Sequence, residues 1–210
     1  VLVVGHAVEV GVVVAGVPDA VAVRVGEHDA FEVRGEGGAI PAGAVEWLSY
    51  GEAIAEVNRV AESYGERALI RGHIPCFDVF GQPGCWQDAV ELYGTEALIM
   101  ATYEDPAWVH DFLAILRDRK LVSIRSMQGA QFDLIELGGG AASSTVISPQ
   151  IFDDFVAPYD APLIAAAHEC GQRIVYHTCG GMMPLLERIA DMGPDAMETF
   201  TPASLGGDAD

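Results

Sequence analysis

The chain has 210 residues, 50% of them hydrophobic, a formal net charge of −20 and a mean hydropathy of +0.26. That length is ample for a sizeable core. Eleven basic against 31 acidic residues argue against nucleic acid and anionic membranes as partners, because binding to a phosphate backbone needs clustered Lys and Arg. No uninterrupted apolar run reaches about 18 residues, so no membrane span is expected. The start VLVVGHAVEV lacks the basic flank and cleavage pattern of a signal peptide. Cys76, Cys85, Cys170 and Cys179 are few and irregularly spaced, which points to free thiols in a cytoplasmic protein.

Residues 1–38 stand apart. VEVGVVV and VAVRV alternate or run in β-branched residues between Gly, Pro and Asp, the pattern of short strands or hairpins. Their Val/Ala/Gly composition is close to low complexity, and the chain has no initiator Met; the edge of an incomplete or misread gene is the competing reading. A β-prone segment is therefore drawn over 1–45 and a second domain over 46–210.

From residue 50 the pattern alternates helix and strand. Glu52 to Tyr64 predicts a helix, with Ala53, Ile54, Val57, Val60 and Ala61 apolar. Ala68 to His73 predicts a strand and Gln87 to Tyr93 a short helix. Asp105-Pro106 opens a long helix, as N-cap and first-turn proline. Its apolar face is Trp108, Val109, Phe112, Leu113 and Leu116, continuing towards Ile124 and Met127. Phe132 to Leu137 is the next strand. Ser148-Pro149 opens a helix that runs with breaks to about Cys170 and stops at Gly171. Arg173 to Tyr176 is a strand, Met183 to Met192 a helix stopped at Gly193-Pro194, and Ala196 to Phe200 a last strand.

Strands joined by helical connections predict an α/β fold with a parallel sheet, doubly wound or a (β/α)8 TIM barrel. No G-x-G-x-x-G or Walker A pattern appears in strand–turn–helix context. Polar and Gly-rich residues cluster after the strand ends, at Gly72-His73, Glu136 to Gly140, His177 to Gly181 and Thr199 to Pro202, as at the C-terminal rim of a barrel. A barrel takes about 250 residues. With four convincing strands after residue 65 and an end at GGDAD, the expectation is a partial barrel.

The stretch YHTCGGMMP carries the sharpest chemical signal. Side chains at i and i+2 of a strand share a face, so His177 and Cys179 point together and can supply two zinc ligands. A buried cysteine beside a hydrogen-bonded histidine is the plainer alternative. A third ligand could come from Glu136, His73 or Cys76, or from beyond Asp210. Glu136, at the rim end of its strand, can be a ligand, a general base or a substrate contact. His73, Glu198 and Thr199 end their strands and can face the substrate. Asp133 reads as structural, and Met182-Met183 as core. Arg71 and Arg173 lie in strands but too early to reach a rim site.

Three segments, LYGTEALIMATYEDPAWVHDFL, DLIELGGGAASSTVISPQIFDDFVAPYDAPLI and RIVYHTCGGMMPLLERIADMGPDAMETFTP, resemble the uroporphyrinogen decarboxylase superfamily over roughly residues 65–210. More narrowly they resemble its zinc-dependent cobalamin methyltransferase branch. The resemblance implies a (β/α)8 barrel and carries the zinc-ligand role to His177 and Cys179; that branch's later cysteine has no counterpart here. It also implies a corrinoid (methylcobalamin) as co-substrate, on a partner protein or domain, and a small-molecule methyl donor or acceptor. Glu136 would complete the coordination or position the substrate. Cofactor-free decarboxylation of uroporphyrinogen is the alternative chemistry, although residues 1–38 show no match to the substrate-binding Arg and Asp motifs of that branch. An inactive truncated barrel is the non-catalytic alternative.

Overall fold

The computed structural model describes residues 51–77 and 81–209 in full, and residue 50 by its backbone. Of the first 49 residues it describes only the backbone of six short strands: β1 (Ala7–Gly11), β2 (Val13–Val14), β3 (Ala22–Gly26), β4 (Arg34–Gly35), β5 (Gly38–Ala39) and β6 (Trp47–Leu48). β1 pairs antiparallel with β3, and β4 with β5. The other residues of the predicted β-prone segment, and any boundary at residue 45, lie outside the described residues.

Helix α1 (Tyr50–Tyr64) leads into β7 (Ile70–His73). Three helices follow: α2 (Cys85–Tyr93), α3 (Thr95–Glu104) and α4 (Pro106–Ser126). After β8 (Leu134–Gly138), a one-turn α5 (Pro149–Ile151) widens into a π turn over Phe152–Val156 and continues as α6 (Ala157–Glu169). Pro158 lacks the N–H that the Asp154 carbonyl would take, which accounts for the break, while Pro162 lies inside α6. β9 (Ile174–His177), α7 (Leu186–Met192) and β10 (Ala196–Glu198) complete the series.

β7, β8, β9 and β10 lie side by side and parallel, with β2 antiparallel on the outer side of β7. Four parallel strands in sequence order, with helices between, form an arc of a (β/α)8 barrel. The predicted caps set the helix limits. Asp105 accepts from Trp108 N at 3.1 Å and Ser148 Oγ from Ile151 N at 3.2 Å. Gly171 (φ 76) and Gly193 (φ 83) adopt the left-handed turn that ends a helix. Thr95–Glu104 is a helix that periodicity did not predict. Met183–Leu185, with Pro184 inside it, is a 3₁₀ turn ahead of α7 rather than its first turn.

The strand alternation sorts the residues cleanly. Ile135, Leu137, Ile174 and Tyr176 point outwards and are fully buried under the helices, against Trp86, Leu113, Phe152 and Leu163. Of the predicted α4 face, Val109, Leu113, Leu116 and Ile124 join this core, while Trp108 stays 38% exposed and stacks on Phe112. Two polar pairs cross the core. Tyr176 OH donates to the buried Asp160 at 2.8 Å, and Lys120 Nζ lies 2.6 Å from Asp88 with both side chains almost fully buried. Asp133 accepts from Ile70 N at 2.7 Å at the opposite end of the sheet from the rim. Among the described residues no helix is long and apolar enough to cross a membrane.

Candidate functional site

The inner face of the arc is where the charged residues collect. The parallel register sets His73 against Glu136, Gly138 against His177, and His177 against Glu198. By alternation Arg71, His73, Glu136, His177 and Glu198 therefore share one face, opposite the helices.

Arg71 joins two strands at once. Its guanidinium donates to Glu198 Oε1 at 2.5 Å and Oε2 at 3.3 Å, and also pairs with Glu136 Oε2. The expectation that Arg71 sits too early in its strand is thus corrected: a long side chain on the inner face spans the distance that its backbone position does not. The missed signal was that an arginine two residues before His73, on an inward face, needs a carboxylate partner.

His177 is held through one nitrogen. Nδ1 lies 2.9 Å from Glu198 Oε1, 3.4 Å from Glu136 Oε1 and 3.3 Å from Thr199 Oγ1. A carboxylate only accepts, so in the neutral ring Nδ1 carries the proton and Nε2 keeps the lone pair. Nε2 is buried and has no hydrogen-bond partner among the described residues.

The two carboxylates are driven apart. Burial raises Glu136 above its ordinary value, against the pull of Arg71 and His177. Burial also works to raise Glu198, but hydrogen bonds from His177 and Arg71 outweigh it and hold that carboxyl below its ordinary value. Burial opposes the Arg71 charge, yet Glu198 and Glu136 overcome it and raise its pKa. Environments that separate two neighbouring carboxyls in this way divide the roles of proton holder and anion.

Glu136, His177 and Glu198 bring ligand atoms within 4.8 Å of one another. A dication among them would face the Arg71 guanidinium, which already pairs with both carboxylates, so we read this grouping as an ion-pair network. Cys179 is not part of it. β9 ends at His177, so strict alternation stops there, and the Cys179 thiol lies over Gly140, where a Cβ would overlap its Sγ. The thiol is free and partly exposed. His73 turns its Nε2 to the Gly81 carbonyl, with Cys76 Sγ 3.9 Å away.

The rim loops interlock. Gly140 N donates to Gln82 Oε1 at 2.7 Å and Ala141 N to Gln87 Oε1 at 2.9 Å. Ser144 N donates to the Gly181 carbonyl at 2.8 Å, and Asp208 accepts from Met182 N at 2.8 Å. Met182 is buried and Met183 is 46% exposed.

An inward-facing charged constellation beneath Gly-rich rim loops puts the candidate site of this partial (β/α)8 barrel at the C-terminal end of its strands. A sequence model described as uroporphyrinogen decarboxylase (URO-D) matches residues 77–205, more than half of the chain, and the chain belongs to that family. Among solved structures, a methyltransferase from Methanosarcina mazei is similar, with TM-score 0.56 and 19% identity over 69% of this chain and 40% of that one. At that identity the likeness speaks for the fold, and the chain spans less than half of that protein's length. No curated protein matches the chain.

Proposed function

We propose zinc-dependent methyl transfer involving a corrinoid, with His177 and Cys179 as zinc ligands. The observation that carries this reading is the His177 ring: Nδ1 is tied to a carboxylate, and Nε2 is buried and unpartnered. Metal-binding histidines typically donate their other N–H to a carboxylate, which fixes tautomer and orientation. Imidazole Nε2 and a free thiol two residues on are both zinc donors, and would supply two of the three or more protein ligands a zinc site takes.

Zinc held by His177 and Cys179 would supply Lewis acidity, to stabilise a thiolate or polarise the oxygen of a methylated donor. The protein's own part follows from the geometry. Glu198 holds the His177 proton on Nδ1. Arg71 keeps Glu198 ionised and fixed. Glu136, raised by burial, is the carboxyl placed to hold a proton or to position a substrate beside the metal. The methyl carrier would be a methylcobalamin on a partner protein, and the other substrate a small methyl donor or acceptor. His73 is directed to the Gly81 carbonyl and takes a supporting place in this reading.

Decarboxylation of uroporphyrinogen remains the second reading, favoured by the family description. It calls for cationic groups free to meet acidic side chains, and Arg71 is engaged by two carboxylates.

Zinc content and methyl exchange with methylcobalamin test the proposal. About one zinc per chain, lost in His177→Ala and in Cys179→Ala, is the expected result. Well-folded, reduced protein without zinc, consuming porphyrinogen, would overturn it.

A further inference from the structure

Thr199 follows β10 directly and has φ of 63, the one non-glycine residue in the left-handed region among the described residues. For a β-branched side chain this conformation is a genuine outlier, since Cβ crowds the backbone and χ1 is already restricted. Thr199 is exposed, so no close packing forces it there.

The strained turn has a consequence. In an extended strand, consecutive side chains point to opposite faces. Glu198 and Thr199 are consecutive, yet both reach the same atom, His177 Nδ1, at 2.9 and 3.3 Å. The positive φ folds the Thr199 hydroxyl back to the Glu198 side. It also directs the chain so that Thr201 Oγ1 accepts from Gly180 N at 3.1 Å, in the loop that carries Cys179.

We infer that Thr199 is a positioning residue: its left-handed backbone sets a second acceptor on His177 Nδ1 and pins the loop behind it, fixing which way Nε2 faces. Strain retained at a rim position without packing to impose it marks a functional constraint. The inference rests on reading His177 as a metal ligand, but the ring tautomer exists without metal and is tested separately.

The experiment compares wild type, Thr199→Gly and Thr199→Ser in the full chain. Glycine adopts a positive φ without strain but lacks the hydroxyl; serine keeps the hydroxyl. Three readouts are taken: Tm, zinc Kd by chelator competition, and the ¹⁵N shifts of His177 in metal-free protein. Thr199→Gly should melt about 2–4 °C higher while binding zinc about 10-fold or more weakly, the usual loss when a ligand's outer partner goes. Its Nδ1–H tautomer signature should weaken as well. Thr199→Ser should keep the wild-type tautomer and zinc affinity. A glycine variant that melts lower, or that keeps both tautomer and affinity, overturns the inference. If wild type binds no zinc, the metal reading fails, and the tautomer shift alone decides the role of Thr199.

Discussion

Replacing Arg71 with methionine removes the cation that Glu136 and Glu198 share. The side chains of Arg71, Glu136 and Glu198 are only 32%, 12% and 29% exposed, so water replaces the lost partner poorly. Breaking a buried ion pair typically costs about 3–5 kcal/mol. The residual exposure of Arg71 and the remaining His177 contacts reduce this to about 2–4 kcal/mol. For a chain of this size that is a fall in Tm of roughly 4–16 °C, measured by calorimetry or circular dichroism. The pH dependence fixes the mechanism. Glu198, held below its ordinary value by His177 and Arg71 against burial, contributes stability that is present above its unfolded pKa and lost as pH falls through the folded one. The deficit of the variant should therefore be widest near neutrality and narrow as pH drops through the carboxylate range near ~4. Arg71→Met combined with Glu198→Gln should recover part of the loss. Additivity of the two single changes to within about 0.5 kcal/mol would refute the coupling.

Other substitutions probe the core and the rim. Lys120→Met leaves Asp88 buried without its 2.6 Å partner and should cost about 3–5 kcal/mol in denaturant melts. Replacing both with apolar residues should restore much of that. Tyr176→Phe takes from Asp160 the phenol that donates at 2.8 Å and should cost about 1–3 kcal/mol by the same assay. Burial raises the Cys85 thiol well above its ordinary value and shields it completely, so alkylation followed by mass spectrometry should label Cys76, Cys170 and Cys179 first and Cys85 only on unfolding. Gly140→Ala places a methyl group in the space of the Cys179 sulfur and should weaken zinc binding in the metal assay while leaving the fold intact.

The barrel arc was legible because its punctuation is local. Asp105-Pro106, Ser148-Pro149, Gly171 and Gly193 start and stop helices through bonds and dihedrals made within a few residues. Helix α3 was missed because TEALIMATYE has no apolar stripe; of its residues only Leu98 and Thr102 are buried. The last strand is shorter than its composition predicts, since Thr199 turns left-handed. At the site, alternation paired His177 with Cys179, but β9 ends at His177 and the rule stops there; that Glu136 and His177 share a face follows from the strand register, which has no local signature. Arg71 reaches the site through the length of its side chain, which its position along the strand does not reveal. Which partner each nitrogen of His177 takes depends on residues 21 positions away and has no local signature.

The crossing of the two Gly-rich loops at the rim bears on how such a site can be remodelled. A Cβ on Gly138 would overlap the His177 carbonyl, and one on Gly181 the Ser144 hydroxyl. The Ser144 hydroxyl can rotate aside, but the His177 carbonyl is backbone, so a side chain at position 138 would have to displace the strand end that carries His177. The loop after β8 and the loop after β9, some forty residues apart in sequence, are therefore coupled at the point where the backbones meet, and a change at Gly138 is expected to be felt at His177.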